Sequence, residues 1–219
     1  GIYGACYKLS IVMSLFIQAF KFAAEPYFFS KMKNADAKQT YADVMSVYTL
    51  FLLTIFIGVM AYLDILQYFV GSEFRSGLKV VPVLLLANLC LGIYYNLSVW
   101  YKVSDKTIYG AYISGIGAVI TLILNYLLVP HLGYMGAAWT TLICYFAIMV
   151  ICWAFGQKFY PVKYPIKRLS LYTLLALVLV GAIICNPVAN IVLKLLINTA
   201  LLLVFVAVAY RFDVRKRLS

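Results

Sequence analysis

Five polar residues interrupt the first apolar run of the chain at a helical rhythm. Ser10, Ser14, Gln18, Lys21 and Glu25 are separated by four, four, three and four positions. At about 100° per residue they share one helix face, within an arc of about 80°, and Lys8 falls off it. The stripe offers a cation, a carboxylate, an amide and two hydroxyls. Lys21 and Glu25 are four apart, within reach of an ion pair. A charge left in lipid at mid-bilayer costs about 2.5–3.5 kcal/mol, so the stripe should face protein or a water-filled cavity. A second reading stands beside it: Lys21 and Glu25 lie near a helix end and snorkel to the interface. Pro26 removes a backbone donor just past the pair and can kink the helix end there.

Two later runs carry polar and small residues at similar spacing. One has Asn88, Gly92, Tyr95 and Asn96; the other has Gly110, Ser114, Gly117, Thr121 and Asn125. Small residues let helices approach closely, and Asn or Thr can bond between helices, so packing accounts for much of this pattern. The alternative is an aqueous path lined by Asn88, Asn96 and Asn125. Asp64 reads equally as an interface residue or an ion ligand.

Covalent catalysis and metal chemistry find little support. The seven acidic residues, Glu25, Asp36, Asp43, Asp64, Glu73, Asp105 and Asp213, form no convincing catalytic pair, and the breaks between apolar runs are too short for an extramembrane catalytic domain. His131 is the only histidine. Cys6, Cys90, Cys144, Cys152 and Cys185 stand singly in or beside apolar stretches, without metal-ligand spacing. They read as small buried hydrophobes, and neither a metal nor a cofactor is expected.

The elements that must carry these residues follow from composition. The chain is 65% hydrophobic and 11% charged, with a mean hydropathy of +0.97. A soluble core could not absorb so much apolar surface, so the solvent is lipid and the fold class is an all-α polytopic membrane bundle. Seven apolar runs are long enough to span, at about 5–30, 44–70, 78–101, 107–129, 135–156, 169–186 and 189–210. Charge, Gly and Pro mark the breaks: "KMKNADAKQ", "GSEFRSG", "KVSDK", "PHLG", "GQKFYPVKYPIKR" and Asn186-Pro187.

The net charge of +11 would suggest nucleic acid in a soluble protein, but here the basic residues sit between membrane spans, and no nucleic-acid partner is expected. Lys31, Lys33, Lys38, Lys102, Lys106, Lys158, Lys163, Lys167, Arg168, Arg211, Arg215, Lys216 and Arg217 make 13 of 18 basic residues and fall on one side. Lys8, Arg75, Lys79 and Lys194 fall on the other. The positive-inside rule makes the first side cytoplasmic, with the N-terminus outside and the C-terminus inside. An external start with odd parity, and Gly1 in place of an initiator methionine, are expected of a piece of a longer chain. Tyr62, Tyr68, Trp100, Tyr101, Tyr109, Tyr134, Trp139, Trp153 and Tyr160 lie near span ends and read as interface anchors.

Several stretches resemble Wzx-type polysaccharide flippases of the multidrug/oligosaccharidyl-lipid/polysaccharide exporter superfamily. They are "GIYGACYKLSIVMSLFIQAFKFAAEPYFFSK" (1–31), the run from "VVPVLLLANLCLGIYYNLSVWYKVSDK" through "NYLLVPHLGYMGAAW" to "TTLICYF" (80–146), and "GQKFYP" (156–161). The pattern from Pro130 to Ala138 recurs across that superfamily. The resemblance implies two six-helix lobes around a central cavity, with this chain supplying a partial C-terminal lobe (1–160, about five helices). Residues 161–219 would then be an added two-helix hairpin with a basic cytoplasmic tail.

The implied activity is movement of an undecaprenyl-pyrophosphate-linked oligosaccharide across the bacterial inner membrane, by alternating access, for surface polysaccharide biosynthesis. The implied partners are that lipid-linked oligosaccharide, membrane lipids and a missing N-terminal lobe. Gln18, Lys21 and Glu25 match the family's region of cavity-facing charge, with Lys21 attracting pyrophosphate and Glu25 holding Lys21 in place. Asn88, Asn96 and Asn125 complete the expected substrate-binding set. Two other classes remain: another exporter of the same fold, for drugs or a peptidoglycan precursor, and a truncated, non-transporting membrane partner.

Overall fold

The computed structural model describes residues 2–188 and 190–211. The Cys6 side chain and Asp213, Arg215, Lys216 and Arg217 of the tail lie outside the described residues. The described chain is all-α. It runs α1 (Ile2–Lys31), α2 (Ala37–Ala61), the short α3 (Leu63–Leu66), 3-10 segments at Gln67–Phe69 and Ser72–Val80, α4 (Val81–Leu97), α5 (Val99–Val103), α6 (Ile108–Phe159), α7 (Ile166–Ile184) and α8 (Ile191–Ala209).

Six stretches among the described residues are long and apolar enough to cross a bilayer: Tyr7–Lys31, Ala37–Ala61, Ser72–Val103, Ile108–Phe159, Ile166–Ile184 and Ile191–Ala209. The runs expected at 107–129 and 135–156 are thus one helical element of 52 residues. Drawn straight, it would be about 78 Å long, against a hydrocarbon core of about 30 Å. It is not straight. Gly133 adopts φ 55° and ψ −133°, and Cys144 Sγ lies 3.3 Å from the Gly117 carbonyl oxygen, 27 positions away. Along a straight helix those residues would be about 40 Å apart, so α6 folds back into two arms, 108–132 and 134–159.

Sequence reading expects a loop at "PHLG", but helix continues through Pro130, His131 and Leu132 and turns on Gly133 alone. That backbone conformation is open to glycine and strained for other residues. Gly136 completes the turn, because a Cβ there would stand 2.5 Å from the Leu128 carbonyl oxygen.

The second span is also displaced from the expected 44–70. Helix already starts at Ala37, where Ala37, Lys38 and Gln39 are good helix formers. Tyr41 anchors that first turn by donating to the Phe28 carbonyl at 3.2 Å and meeting the Phe28 ring edge-on. The far end leaves α-helix at Tyr62. Pro26 does not stop α1, which runs on to Lys31.

At the centre lies α2, packed against α1, α4, α7 and α8. Leu52, Leu53, Phe56 and Ile57 are fully enclosed, with Met13 and Ile17 of α1 and Leu84 and Leu85 of α4 around them. Gly92 lets α4 approach α2; a Cβ there would meet Leu52 Cδ1 at 2.5 Å. The outer faces carry Phe22, Leu122, Tyr126, Leu171 and Val178 exposed. A water-soluble surface rarely exposes apolar area so continuously, whereas hydrocarbon accepts it.

The two ends of the bundle are chemically different. One gathers Lys31, Lys38, Lys102, Lys106, Lys158, Lys163 and Lys167, with aromatic rings among them. Lys38 Nζ lies 4.8 Å from the Tyr160 ring centroid, and Lys106 Nζ 4.3 Å from that of Phe159. Burial raises the Tyr160 and Tyr164 phenols above their ordinary pKa, so both stay neutral in this basic setting. The other end holds Asp64, paired with Lys194 at 2.7 Å, and Asn198, which donates to the Ala61 carbonyl at 3.0 Å. Asp64 is thus ion-paired within the protein, fastening α8 to α3 just past the end of α2. Among the cysteines, Cys90, Cys144 and Cys152 are buried as expected, but Cys185 is exposed at the end of α7.

Candidate functional site

A cavity of about 530 Å³ lies between α1, α4, α5 and both arms of α6. Helical spacing explains how it is built. Leu91, Tyr94, Tyr95, Ser98, Tyr101 and Lys102 recur at three- and four-residue steps, so α4 and α5 present them on one face. Opposite them, Gly110, Ser114, Gly117 and Thr121 form a small-residue face on the first arm of α6. Gly110 lets the Tyr101 ring lie flat against the backbone; a Cβ would come within 3.1 Å of it. Cys144, Tyr145 and Ile148 of the second arm close the back.

Lys21 enters this space from α1. It is half-buried, and its Nζ lies 4.9 Å from the centre of the Tyr95 ring. A cation over a tyrosine face is held electrostatically without losing its charge. Among the described residues no carboxylate pairs with it. Glu25 forms its ion pair with Lys102 instead, tying α1 to α5. The expected Lys21–Glu25 pair is therefore not the one formed. The Lys102 ammonium reaches the carboxylate from another helix, and the ring of Tyr95 occupies Lys21.

The remaining stripe residues separate by their angle. Buried Ser10, Met13, Ile17, Ala24 and Phe28 define the inward side of α1. Lys21 and Glu25 stand at its edge, and Gln18, about 60° further round than Lys21, is exposed. The three asparagines do not meet in one place. Asn88 is buried and donates to the Ser10 carbonyl at 3.2 Å, joining α4 to α1. Asn96 is buried with neither amide atom hydrogen-bonded among the described residues. Asn125 is half-buried on α6, one turn beyond Thr121 and outside the cavity lining. Of the six expected residues, Lys21 alone lines the cavity.

Tyr94 and Ser98 line it without having been named from the sequence, while Tyr95, Tyr101 and Lys102 line it having been read in other roles. Their signal was present as the repeat 91, 94, 95, 98, 101, 102. It was obscured because Lys102 and Tyr101 also satisfy the pattern of a basic loop and an interface anchor. The Tyr94 and Tyr101 hydroxyls lie 3.5 Å apart, and Ser98 Oγ donates to the Tyr95 carbonyl at 2.6 Å. The result is a mixed wall of ammonium, phenol and hydroxyl groups that suits an anion with hydrogen-bond acceptors.

These features define the class: a multi-pass helical membrane protein with a polar, cation-bearing cavity among its helices. No protein-family model matches the chain, and neither a curated protein nor a solved structure matches it.

Proposed function

We propose that the chain is part of a flippase that moves a lipid-linked oligosaccharide, carried on undecaprenyl pyrophosphate, across the bacterial inner membrane. The observation that carries this reading is Lys21, a half-buried cation with no carboxylate partner among the described residues, at the wall of a polar cavity within the membrane-spanning bundle. Intramembrane charges of this kind mark substrate paths. The surrounding phenols and hydroxyls suit phosphate oxygens and sugar hydroxyls. The resemblance of residues 1–31 and 80–146 to polysaccharide flippases names the substrate class.

In this reading the chain transports rather than transforms its substrate, and a partner lobe covers the open side of the cavity. The lysine-rich end of the bundle is cytoplasmic, by the positive-inside rule. The test is binding of undecaprenyl pyrophosphate, with uncharged undecaprenol as control, to the chain in nanodiscs. Lys21→Ala should abolish the preference for the pyrophosphate, and Lys21→Arg should keep most of it, since attraction to phosphate needs a cation more than one shape. Equal binding of both lipids by the parent chain would overturn the proposal.

A further inference from the structure

A second cavity, on the other side of the second α6 arm, has a different chemistry. It encloses about 800 Å³ between that arm and α7, over a floor from α2 and α4. That volume lies within the range of about 300–1,000 Å³ typical of small-molecule sites. Its walls are two apolar helix faces. Leu142, Phe146 and Met149 come from α6, and Leu169, Leu174 and Leu177 from α7. The opposite face of α7, with Tyr172, Ala176 and Val180, is the one buried in the core.

Hydroxyls in the lining are few. Thr173 already donates to the Leu169 carbonyl at 2.9 Å, and Thr49 Oγ1 has no hydrogen-bond partner among the described residues. A space this poor in polar partners does not hold ordered water. At one end the linker between α6 and α7 forms its rim: Val162 is buried, and Gln157 donates to the Val162 carbonyl at 2.9 Å. Tyr164 and Ile166 of this segment join the lining, while Lys163 and Lys167 beside them are exposed and, among the described residues, have no carboxylate partner. The sequence has no acidic residue between Asp105 and Asp213, so the α6–α7 side of this mouth carries basic residues and no carboxylate of its own.

We infer that this cavity is a binding site for an anionic membrane phospholipid. An acyl chain lies between α6 and α7, and the headgroup phosphate meets Lys163 and Lys167. Charge at the mouth selects the anionic headgroup, and the apolar interior selects the chain; basic pockets beside membrane helices recognise such lipids. The site shares no lysine with the Lys21 cavity and does not depend on the transport reading.

The test uses the purified full chain in detergent, with phosphatidylglycerol and phosphatidylcholine of identical chains, and native mass spectrometry to count retained lipids. The parent should retain one phosphatidylglycerol in preference to phosphatidylcholine, with the two lysines worth about thirtyfold together. Lys163→Ala/Lys167→Ala should remove that preference, and Leu174→Trp, which fills the cavity, should remove retention of both lipids. Met149→Trp, filling it from the other wall, provides the same reading if Leu174→Trp does not fold. Equal retention of the two lipids by the parent, or phosphatidylglycerol retention unaffected by cavity filling, overturns the inference. So does a dimer that covers this face and excludes lipid.

Discussion

Replacing Glu25 by Gln discriminates sharply between two roles for the ion pair. If the carboxylate held Lys21 in its binding position, its loss would weaken anion binding. The structure places it on Lys102, which also lines the cavity. Glu25→Gln then keeps the side chain's size but leaves Lys21 and Lys102 both uncompensated. Residues 21 and 25 are one turn apart, about 6 Å along the axis, so a phosphate on Lys21 sits about 8 Å from that carboxylate. At an effective dielectric of about 40, removing the charge relieves about 1 kcal/mol per unit of ligand charge, or about 2 kcal/mol for a dianion. The Glu25 and Lys102 side chains are 36% and 22% exposed, so solvent screens part of this. About 1 kcal/mol should remain, which is about fivefold tighter binding. The assay is undecaprenyl pyrophosphate binding in nanodiscs at two salt concentrations, with the melting temperature measured alongside. Unchanged or weaker binding by a variant that melts like the parent would refute the electrostatic reading of this cavity.

Orientation is tested by single cysteines in a chain lacking the other five: a reagent applied from outside should label Ser72→Cys and not Asn34→Cys. These exposed positions lie at opposite ends of the bundle. Gly133→Ala should destabilise the fold by about 1–3 kcal/mol in a chemical unfolding titration, because φ 55° with ψ −133° strains any side chain. Gly115→Ala, where a Cβ meets nothing within 4 Å, should not destabilise it. Asp64→Asn should cost about 1 kcal/mol by leaving Lys194, the one charged residue of α8, without its carboxylate. Adding Lys194→Met should restore the melting temperature, and failure to do so would show that Asp64 stabilises by some other contact.

The membrane class and most helix positions were legible because lipid imposes one rule on every span: a long apolar run with its backbone bonds satisfied internally. Asn186 and Pro187 mark a true break; Asn190 then caps α8, accepting from the Val192 and Leu193 amides at 3.0 and 3.3 Å. The hairpin of α6 was harder to read. "PHLG" has loop composition, yet a single glycine makes the turn, because Gly133 supplies the dihedral angles and Gly136 the close approach. Partner choice was harder still. Spacing gave Lys21 and Glu25 a possible bond within α1, but Lys102, 77 positions beyond Glu25, takes the carboxylate. Helical periodicity reports neighbours on one helix and is silent on which helix faces them.

Gln18 carries the consequence furthest. It is exposed on α1 between Leu15 and Phe22, both also exposed, about one turn from the lysine that lines the cavity. In hydrocarbon its amide would lack hydrogen-bond partners, at a cost of a few kcal/mol. Leu15 and Phe22 gain little from water. A face that is apolar at two positions and amide-bearing between them suits contact with protein better than either solvent alone. α1 is also among the less buried candidate spans, and its mean hydropathy of 1.2 is the lowest of the six. Those properties fit a helix at the seam of a larger assembly, with Lys21 at its edge. On the transport reading, the partner lobe that covers Gln18 would also form the missing wall of the cavity, so anion binding and lobe association would draw on the same face of α1.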